Sequence, residues 1–370
     1  MQRIFHTPEG VRDIYGIECA QKKQLEQKIH NVFEKYGFMD IETPTFEYFE
    51  VFSKEVGTTP SRELYKFFDR EGNTLVLRPD FTPSVSRACA TYFDVEDAPV
   101  RLCYTGNTFI NNSEYRGRLK QSTQMGIELF GDPSSLADAE VIALTVEALL
   151  AAGLKEFQVS IGQVDYFKCL LQDVNLSEEE EEKLRSIISS KNYFAVEDFL
   201  KEKEISKEIA NAFIQLPQMF GGVEMLEKAK LLTSNRDAIV SVERLEEIYD
   251  LLCVYGYEKY VSFDFGMLSK YHYYTGIIFQ AYTYGTGDAV LKGGRYNNLM
   301  KHFGTPAEAV GFAIIVDQLQ TAIHRQKVEV ASNEMPISIS YTKETYKEAI
   351  EEATRLRKEG KKVALCPLKG

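Results

Sequence analysis

The spacing of hydrophobic and polar positions changes several times along the chain. Apolar residues between Leu25 and Phe33 recur at helical spacing, which predicts a helix over 19–36. Residues 38–52 then alternate between apolar and polar positions, as a strand does, and Pro44 should end that strand. A helix followed by a strand is therefore the first predicted unit.

The next region also mixes the two periods. Residues 73–93 predict a strand, a turn at Arg78–Asp80 and a helix that begins near Thr82. The apolar run 135–153 predicts a strong helix, and 155–163 predicts a strand after it. Helices and strands are thus interleaved over the first half of the chain.

Composition changes sharply at about Leu176. The following segment is rich in Glu and Lys, has helical periodicity and shows few strand signals. Ser177 is a good N-cap, and the acidic run 178–182 suits the first turns of a helix. We therefore predict an all-helical insertion over about 176–257.

Strand patterns return after the predicted insertion. The turn residues of 284–288 predict a hairpin, and 309–323 passes from an apolar strand into a helix. Residues 335–370 read as strand, helix and strand, which is too little to be stable alone. These patterns predict one domain over 1–325 and a short or truncated C-terminal α/β segment over 326–370.

Composition and charge narrow the function classes. The chain has 370 residues with 43 Lys and Arg against 55 Asp and Glu, a net charge of −12 that argues against nucleic-acid binding. Its longest apolar runs fall short of a membrane span, and its first residues lack a secretory signal. We therefore expect a cytoplasmic protein that binds neither nucleic acid nor membrane.

The cysteines and histidines give no sequence signature of a metal site. The 6 cysteines form no CxxC pair, and the 5 histidines are equally dispersed. Zinc sites and disulfide frameworks usually show regular ligand spacing. The sequence therefore predicts reduced thiols, no metal and no cofactor.

Six segments, taken in order, carry a resemblance to a known family. They are 37–47 (GFMDIETPTFE), 75–87 (LVLRPDFTPSVSR), 108–131 (TFINNSEYRGRLKQSTQMGIELFG), 271–280 (YHYYTGIIFQ), 293–299 (GGRYNNL) and 311–319 (GFAIIVDQL). Together they resemble class II aminoacyl-tRNA synthetases, specifically the catalytic domain of histidyl-tRNA synthetase. The resemblance implies an α+β fold with an antiparallel sheet flanked by helices, a helical insertion, a short C-terminal βαβ segment, and dimer contacts through 37–47.

The same resemblance shows what the chain has lost. Three family arginines stabilise the charge that develops on the ATP phosphate, and such electrostatic stabilisation is a dominant catalytic effect. Ile110, Ser269 and Gln318 occupy their positions, and Asn112 replaces a motif glutamate. We therefore expect no aminoacyl-tRNA synthetase activity.

The amino-acid half of the site is better preserved. The resemblance implies that Asp80 suits an α-ammonium group, that Gln124 and Glu128 contact the amino group and the imidazole, and that two tyrosines close the pocket. The candidate histidine-binding residues are Asp80, Thr82, Gln124, Glu128, Tyr273, Tyr274 and Tyr296. Two readings stay open, because the tyrosines could instead belong to a strand core. The nearby arginines are more often structural than anion-binding; they are Arg78, Arg87, Arg116, Arg118 and Arg295.

A chain that keeps the histidine half and lacks the ATP half resembles the ATP phosphoribosyltransferase regulatory subunits. The resemblance implies a subunit without activity of its own. It would assemble with the short-form catalytic subunit, as a homodimer within a hetero-octamer, and would support histidine biosynthesis and its feedback inhibition by histidine. Histidine could bind in the synthetase-like pocket or at the subunit interface. The alternatives are a divergent histidyl-tRNA synthetase or other amino-acid-activating ligase, and a stand-alone sensor.

Overall fold

The structure is a computed structural model, and it describes residues 6–52, 59–112, 119–268, 274–328 and 336–368. The chain forms two compact units. One comprises the described residues up to Asp13 and those from Leu25 to Val328. The other comprises Ile14–Gln24 and the described residues from Pro336 onward. The predicted domain boundary at residue 325 stays a prediction.

Helices and strands are interleaved in the first half of the chain, as the sequence predicts, and helices predominate over residues 164–255. The helices are α1 (Gly16–Lys35), α2 (Thr82–Tyr92), α3 (Ser135–Ala151), α4 (Val164–Leu171), α5 (Glu178–Ser189), α6 (Tyr193–Glu202), α7 (Lys207–Gln215), α8 (Glu224–Leu231), α9 (Arg236–Tyr255), α10 (Asn297–His302), α11 (Val316–Arg325) and α12 (Tyr346–Lys358). The strands are β1 (Met39–Asp40), β2 (Phe46–Tyr48), β3 (Lys66–Phe68), β4 (Thr74–Leu77), β5 (Val100–Phe109), β6 (Gln121–Phe130), β7 (Phe157–Gln163), β8 (Phe220–Gly221), β9 (Val261–Asp264), β10 (Ile277–Thr283), β11 (Leu291–Arg295), β12 (Ala309–Ile315), β13 (Ile337–Tyr341) and β14 (Val363–Pro367).

A large sheet forms the centre of the first unit. Within the described residues it has nine strands in the order β1-β5-β6-β12-β11-β10-β7-β9-β8. In the run β5-β6-β12-β11-β10-β7, each strand pairs antiparallel with the next. The pairs β1 with β5 and β7 with β9 are parallel. Helix α3 contacts both β12 and α9, and most of its residues are buried. The α+β fold with an antiparallel central sheet and flanking helices is confirmed.

The strand predicted to run from residue 38 to Pro44 is shorter than expected. Only Met39–Asp40 joins the large sheet, and Phe46–Tyr48 pairs instead with β4 in a separate three-stranded sheet. Pro44 has no backbone N–H for a strand ladder. The carbonyls of Thr43 and Pro44 accept hydrogen bonds from the Arg78 guanidinium, at 2.8 and 3.3 Å. The segment therefore crosses from one sheet to the other.

The region predicted as an insertion contains helices α5 to α9 and the two-residue strand β8. The predicted N-cap of a helix at Ser177 is confirmed, because Ser177 and Glu180 form a reciprocal capping box on α5. The ammonium of Lys191 pairs with Asp264 on β9, which ties the end of this helix to the large sheet. Its treatment as an insertion at 176–257 stays a prediction.

The C-terminal residues form a strand, a helix and a strand, as the pattern predicts. β13 and β14 pair in parallel, from Ile337 opposite Val363 to Tyr341 opposite Pro367. Helix α12 connects them and packs on both. Among the described residues, none of the helices combines the length and apolar character that a membrane span requires.

Candidate functional site

Strand β6 carries the two residues with which the candidate site begins. Gln124 and Glu128 lie four residues apart, so they project from the same face of the sheet. Gly126 lies between them on that face and is opposite Tyr104 of β5. A Cβ atom at Gly126 would overlap the Tyr104 hydroxyl. The missing side chain therefore leaves a trough between the amide and the carboxyl group, and Tyr104 enters it.

Glu128 is a buried carboxyl group, only 1% exposed. It accepts a hydrogen bond of 2.7 Å from the Thr82 hydroxyl, at the start of α2, and a short one from the Tyr296 hydroxyl, just after β11. Burial raises the pKa of Glu128 to about 8, the two hydroxyl groups oppose this rise, and nearby Asp80 adds to it. At pH 7 the group is therefore mostly protonated.

Glycines make room for this carboxyl group and for a tyrosine ring. Gly311 of β12 is opposite Glu128, and Gly294 of β11 is opposite Gly311, so the three positions form one row. A Cβ atom at Gly311 would overlap Oε2 of Glu128. A Cβ atom at Gly294 would lie 2.6 Å from Cε1 of Tyr274. Gly294 therefore lets the ring of Tyr274 approach the sheet closely.

Asp80 and Tyr104 complete the polar surroundings of Glu128. Asp80 lies in the turn before α2, where its Oδ1 accepts a hydrogen bond of 2.7 Å from the Phe81 amide. The Tyr104 ring stacks on Phe81 with centroids 4.4 Å apart and is 2% exposed. Burial and the neighbouring carboxyl groups raise its pKa well above the usual value. Sequence reasoning missed Tyr104, although Gly126 within an apolar strand signals a close approach at that point.

Gln124 has an unsatisfied acceptor. Its Oε1 is buried and has no hydrogen-bond partner among the residues that the structure describes. Buried polar atoms are almost always paired, so an unpaired acceptor requires an explanation. A ligand with an N–H donor would supply the missing bond.

The site favours a cationic ligand. Asp80 lies close enough to Glu128 to raise its pKa, and within the described ranges no Lys or Arg forms an ion pair with Glu128. Hydroxyl groups from Thr82 and Tyr296 hold the carboxyl group in place. A ligand with an ammonium group or another protonated amine would stabilise the ionised form of Glu128, which has a like-charged neighbour in Asp80.

Comparisons with known proteins show which family the chain belongs to. The sequence model of the family described as "Histidyl-tRNA synthetase" matches residues 10–319. A protein from Acetivibrio thermocellus named "ATP phosphoribosyltransferase regulatory subunit" is 39% identical over 96% of this chain and 85% of its own length. The chain belongs to the ATP phosphoribosyltransferase regulatory subunit family.

Two solved structures share the fold of this chain. A crystal structure described as an "ATP phosphoribosyltransferase regulatory subunit/histidyl-tRNA synthetase" from Bacillus halodurans is 33% identical, with a TM-score of 0.90 over 100% of this chain and 94% of that one. Histidyl-tRNA synthetase from Nostoc sp. PCC 7120 is 23% identical and has a TM-score of 0.82 over 100% of this chain and 87% of that one. The second similarity shows the class II synthetase-like fold alone.

Two of the three lost-arginine positions lie in the described part of this family member. Ile110 follows β5, where its amide donates to the Lys120 carbonyl at 2.9 Å. Gln318 lies in the first turn of α11. Neither side chain can carry a positive charge. Ser269 and the candidate Tyr273 lie outside the described residues.

Three of the five nearby arginines have structural partners among the described residues. Arg78 donates to backbone carbonyls and lies 3.9 Å from the centroid of the Phe81 ring. Arg87 pairs with Glu47 at 2.9 Å, and Arg295 pairs with a buried aspartate at 2.8 Å. The structural reading is therefore confirmed for these three, whereas Arg116 and Arg118 lie outside the described residues.

Proposed function

We propose that this chain is a regulatory subunit of an ATP phosphoribosyltransferase, without activity of its own, and that it conveys feedback inhibition by histidine to a catalytic subunit. The names of its relatives support the regulatory role. The environment of Glu128 supports histidine as the ligand. Glu128 is a buried carboxyl group that two hydroxyl groups hold in place, and a second carboxyl group lies nearby. The proposal joins the family's role to this site.

Histidine fits the polarity of the site. Asp80 would attract its α-ammonium group, and Glu128 would accept a hydrogen bond from the imidazole N–H. The unpaired Oε1 of Gln124 would accept a further N–H, and the Tyr274 ring would cover the ligand. A bound cation would favour the ionised form of Glu128, so binding near pH 7 would release part of a proton.

The proposed lack of activity rests on the absent cations. Activating an amino acid with ATP requires positive groups placed against the charge that develops on the phosphate. Ile110 and Gln318 stand where the resemblance places two such arginines, and they offer no charge. The chain would then act only through its partner.

Coupling to the partner requires two states of the complex. Histidine inhibits only if it binds the inactive state more tightly than the active one. We place the sensor in the synthetase-like pocket rather than at the subunit interface. The assembly is proposed from the resemblance: a cytoplasmic hetero-octamer with the short-form catalytic subunit, in which this chain dimerises through 37–47.

The experiment separates the sensor from the assembly. The purified chain is titrated with histidine and with ATP by calorimetry, then combined with a short-form catalytic subunit. We expect histidine binding without ATP binding, and histidine inhibition of the complex. An Asp80→Ala plus Glu128→Ala variant, checked against the size-conserving Asp80→Asn plus Glu128→Gln, should assemble normally and lose inhibition. Normal inhibition in an assembled double variant would contradict the pocket as the sensor.

The competing function is a divergent histidyl-tRNA synthetase or another amino-acid-activating ligase. It predicts histidine-dependent exchange of pyrophosphate into ATP by the purified chain. We expect no exchange. A measurable exchange rate, abolished by Glu128→Gln, would overturn the proposed lack of activity.

A further inference from the structure

Three potential metal ligands from separate elements meet at one edge of the large sheet. His30 lies on α1, Asp40 on β1 and Cys103 on β5. One ligand atom from each lies within 4.8 Å of the other two. Asp40 and Cys103 are directly paired positions of the parallel strands β1 and β5. The topology therefore brings a nitrogen, an oxygen and a sulfur ligand together.

Two of the three ligand–ligand distances are close to those of a tetrahedral site, and the third, between His30 and Cys103, is within 4.8 Å. Nε2 of His30 lies 2.8 Å from Oδ1 of Asp40, and Sγ of Cys103 lies 3.5 Å from the same oxygen. Zinc bound at about 2.0–2.3 Å by such ligands holds them roughly 3.3–3.6 Å apart. The histidine and the aspartate would separate by about half an ångström to admit the ion.

A fourth residue lies where a supporting partner would be needed. Nδ1 of His30 lies 3.8 Å from Oε2 of Glu34, one helical turn away. Histidines that bind a metal usually donate their other ring N–H to a carboxylate, which fixes the ring and strengthens the ligand. His30 therefore has Glu34 beside one ring nitrogen and the ligand pair beside the other.

Access and burial also fit an ion site. Cys103 is fully buried, whereas the side chains of Asp40 and His30 are 69% and 23% exposed. In the single chain an ion can reach the cluster from the Asp40 side and displace the thiol proton; Asp40 also lies within 37–47, the proposed dimer contact, so a dimer would cover this route. Without an ion, the Cys103 S–H donates to Asp40 and the His30 ring bonds to the same carboxylate.

We propose that His30, Asp40 and Cys103 form a binding site for Zn²⁺ or a similar thiophilic divalent cation, with Glu34 as the residue that orients His30. Three protein ligands leave a fourth position for water. The ion would connect α1, the short edge strand β1 and β5. Sequence spacing could not find this site, because its ligands come from three elements and form no short motif.

Cobalt is the probe, because a thiolate bound to tetrahedral Co²⁺ gives an intense charge-transfer band. The reduced full-length chain is titrated with Co²⁺ and then with Zn²⁺. We expect one band that saturates at one ion per chain and disappears when Zn²⁺ is added. Cys103→Ser should remove the band, and Glu34→Gln should weaken binding about 10-fold.

Matched variants keep the proposal falsifiable. Cys89→Ala removes another buried thiol, on α2, and should leave the band unchanged. Asp40→Asn alters a mostly exposed side chain, so it should fold normally and lose the rise in melting temperature that Zn²⁺ gives the wild type. A band that persists in Cys103→Ser, or wild-type protein that binds no Co²⁺ at millimolar concentration, would overturn the site.

Discussion

Asp138 and Glu128 are both removed from solvent, at 0% and 1% exposure, but they face different partners. Asp138 on α3 lies between two guanidinium groups, with Arg295 at 2.8 Å and Arg244 at 2.6 Å. Burial raises the pKa of Asp138, and the two arginines oppose that rise. This carboxylate is compensated within the chain and connects α9, α3 and the end of β11.

The hydrogen-bond donors to Glu128 are hydroxyl groups, whereas those to Asp138 are guanidinium groups. Thr82 and Tyr296 donate to it, and its nearest charged influence is the like-charged Asp80. A buried carboxyl group without a cation destabilises its charged form. The comparison shows that one buried acid serves the fold, whereas the other keeps a capacity to receive a positive ligand.

Removing the compensated acid should have the largest effect on stability. Asp138→Ala leaves two arginines beside a buried position, and breaking such a pair costs about 3–5 kcal/mol. Urea unfolding of the variant and the wild type measures the loss. Glu227→Ala removes an exposed carboxylate from Lys230, which keeps Glu246 as a second partner, and should leave the unfolding midpoint unchanged. A loss below about 1 kcal/mol for Asp138→Ala would contradict the structural role.

Glu128, the uncompensated acid, should instead make the free energy of unfolding depend on pH. The folded protein holds a proton on Glu128 up to about pH 8, whereas the unfolded chain releases it near the usual value of 4.5. Its contribution to stability is therefore present below pH 4.5, declines as pH rises through this window and levels off above about pH 8. The decline should reach about 1.4 kcal/mol per pH unit at most.

Glu128→Gln provides the control for that titration, because the amide has similar size and does not ionise. The difference in unfolding free energy between the variant and the wild type should grow in favour of the variant from pH 5 to pH 8. A difference that stays constant over this range would show that Glu128 titrates normally. Such a result would remove the contrast with Asp138.

The sequence predicted the elements better than the contacts that make the site. Resemblance identified Thr82, Glu128 and Tyr296, although they lie 46 and 168 residues apart in their hydrogen-bonded pairs. No periodicity links such distant positions. Asp138 was not singled out, because an acid in the first turn of an apolar helix also suits solvent. Only its bonds to arginines 106 and 157 residues away show that it is buried.

The strand prediction failed for a similar reason. The alternation predicted a strand up to Pro44, but the guanidinium of Arg78, from a different part of the chain, donates to the carbonyls of Thr43 and Pro44. The local alternation indicates an extended backbone. Long-range hydrogen bonds determine whether that backbone pairs with a neighbouring strand. The candidate site consists almost entirely of such long-range contacts.

The smallest expected effect sharpens the comparison at a single hydroxyl group. Tyr296→Phe removes one donor to Glu128, which should cost about 1 kcal/mol and raise the pKa of Glu128 further. The pH window of the stability difference should then extend above 8. Tyr166→Phe removes a buried hydroxyl that bonds to the Ala229 carbonyl at 2.9 Å, so it should lower stability and leave the window in place. Equal shifts in both variants would mean that the hydroxyl groups act through packing, and Glu128 would then lose the special environment that distinguishes it from Asp138.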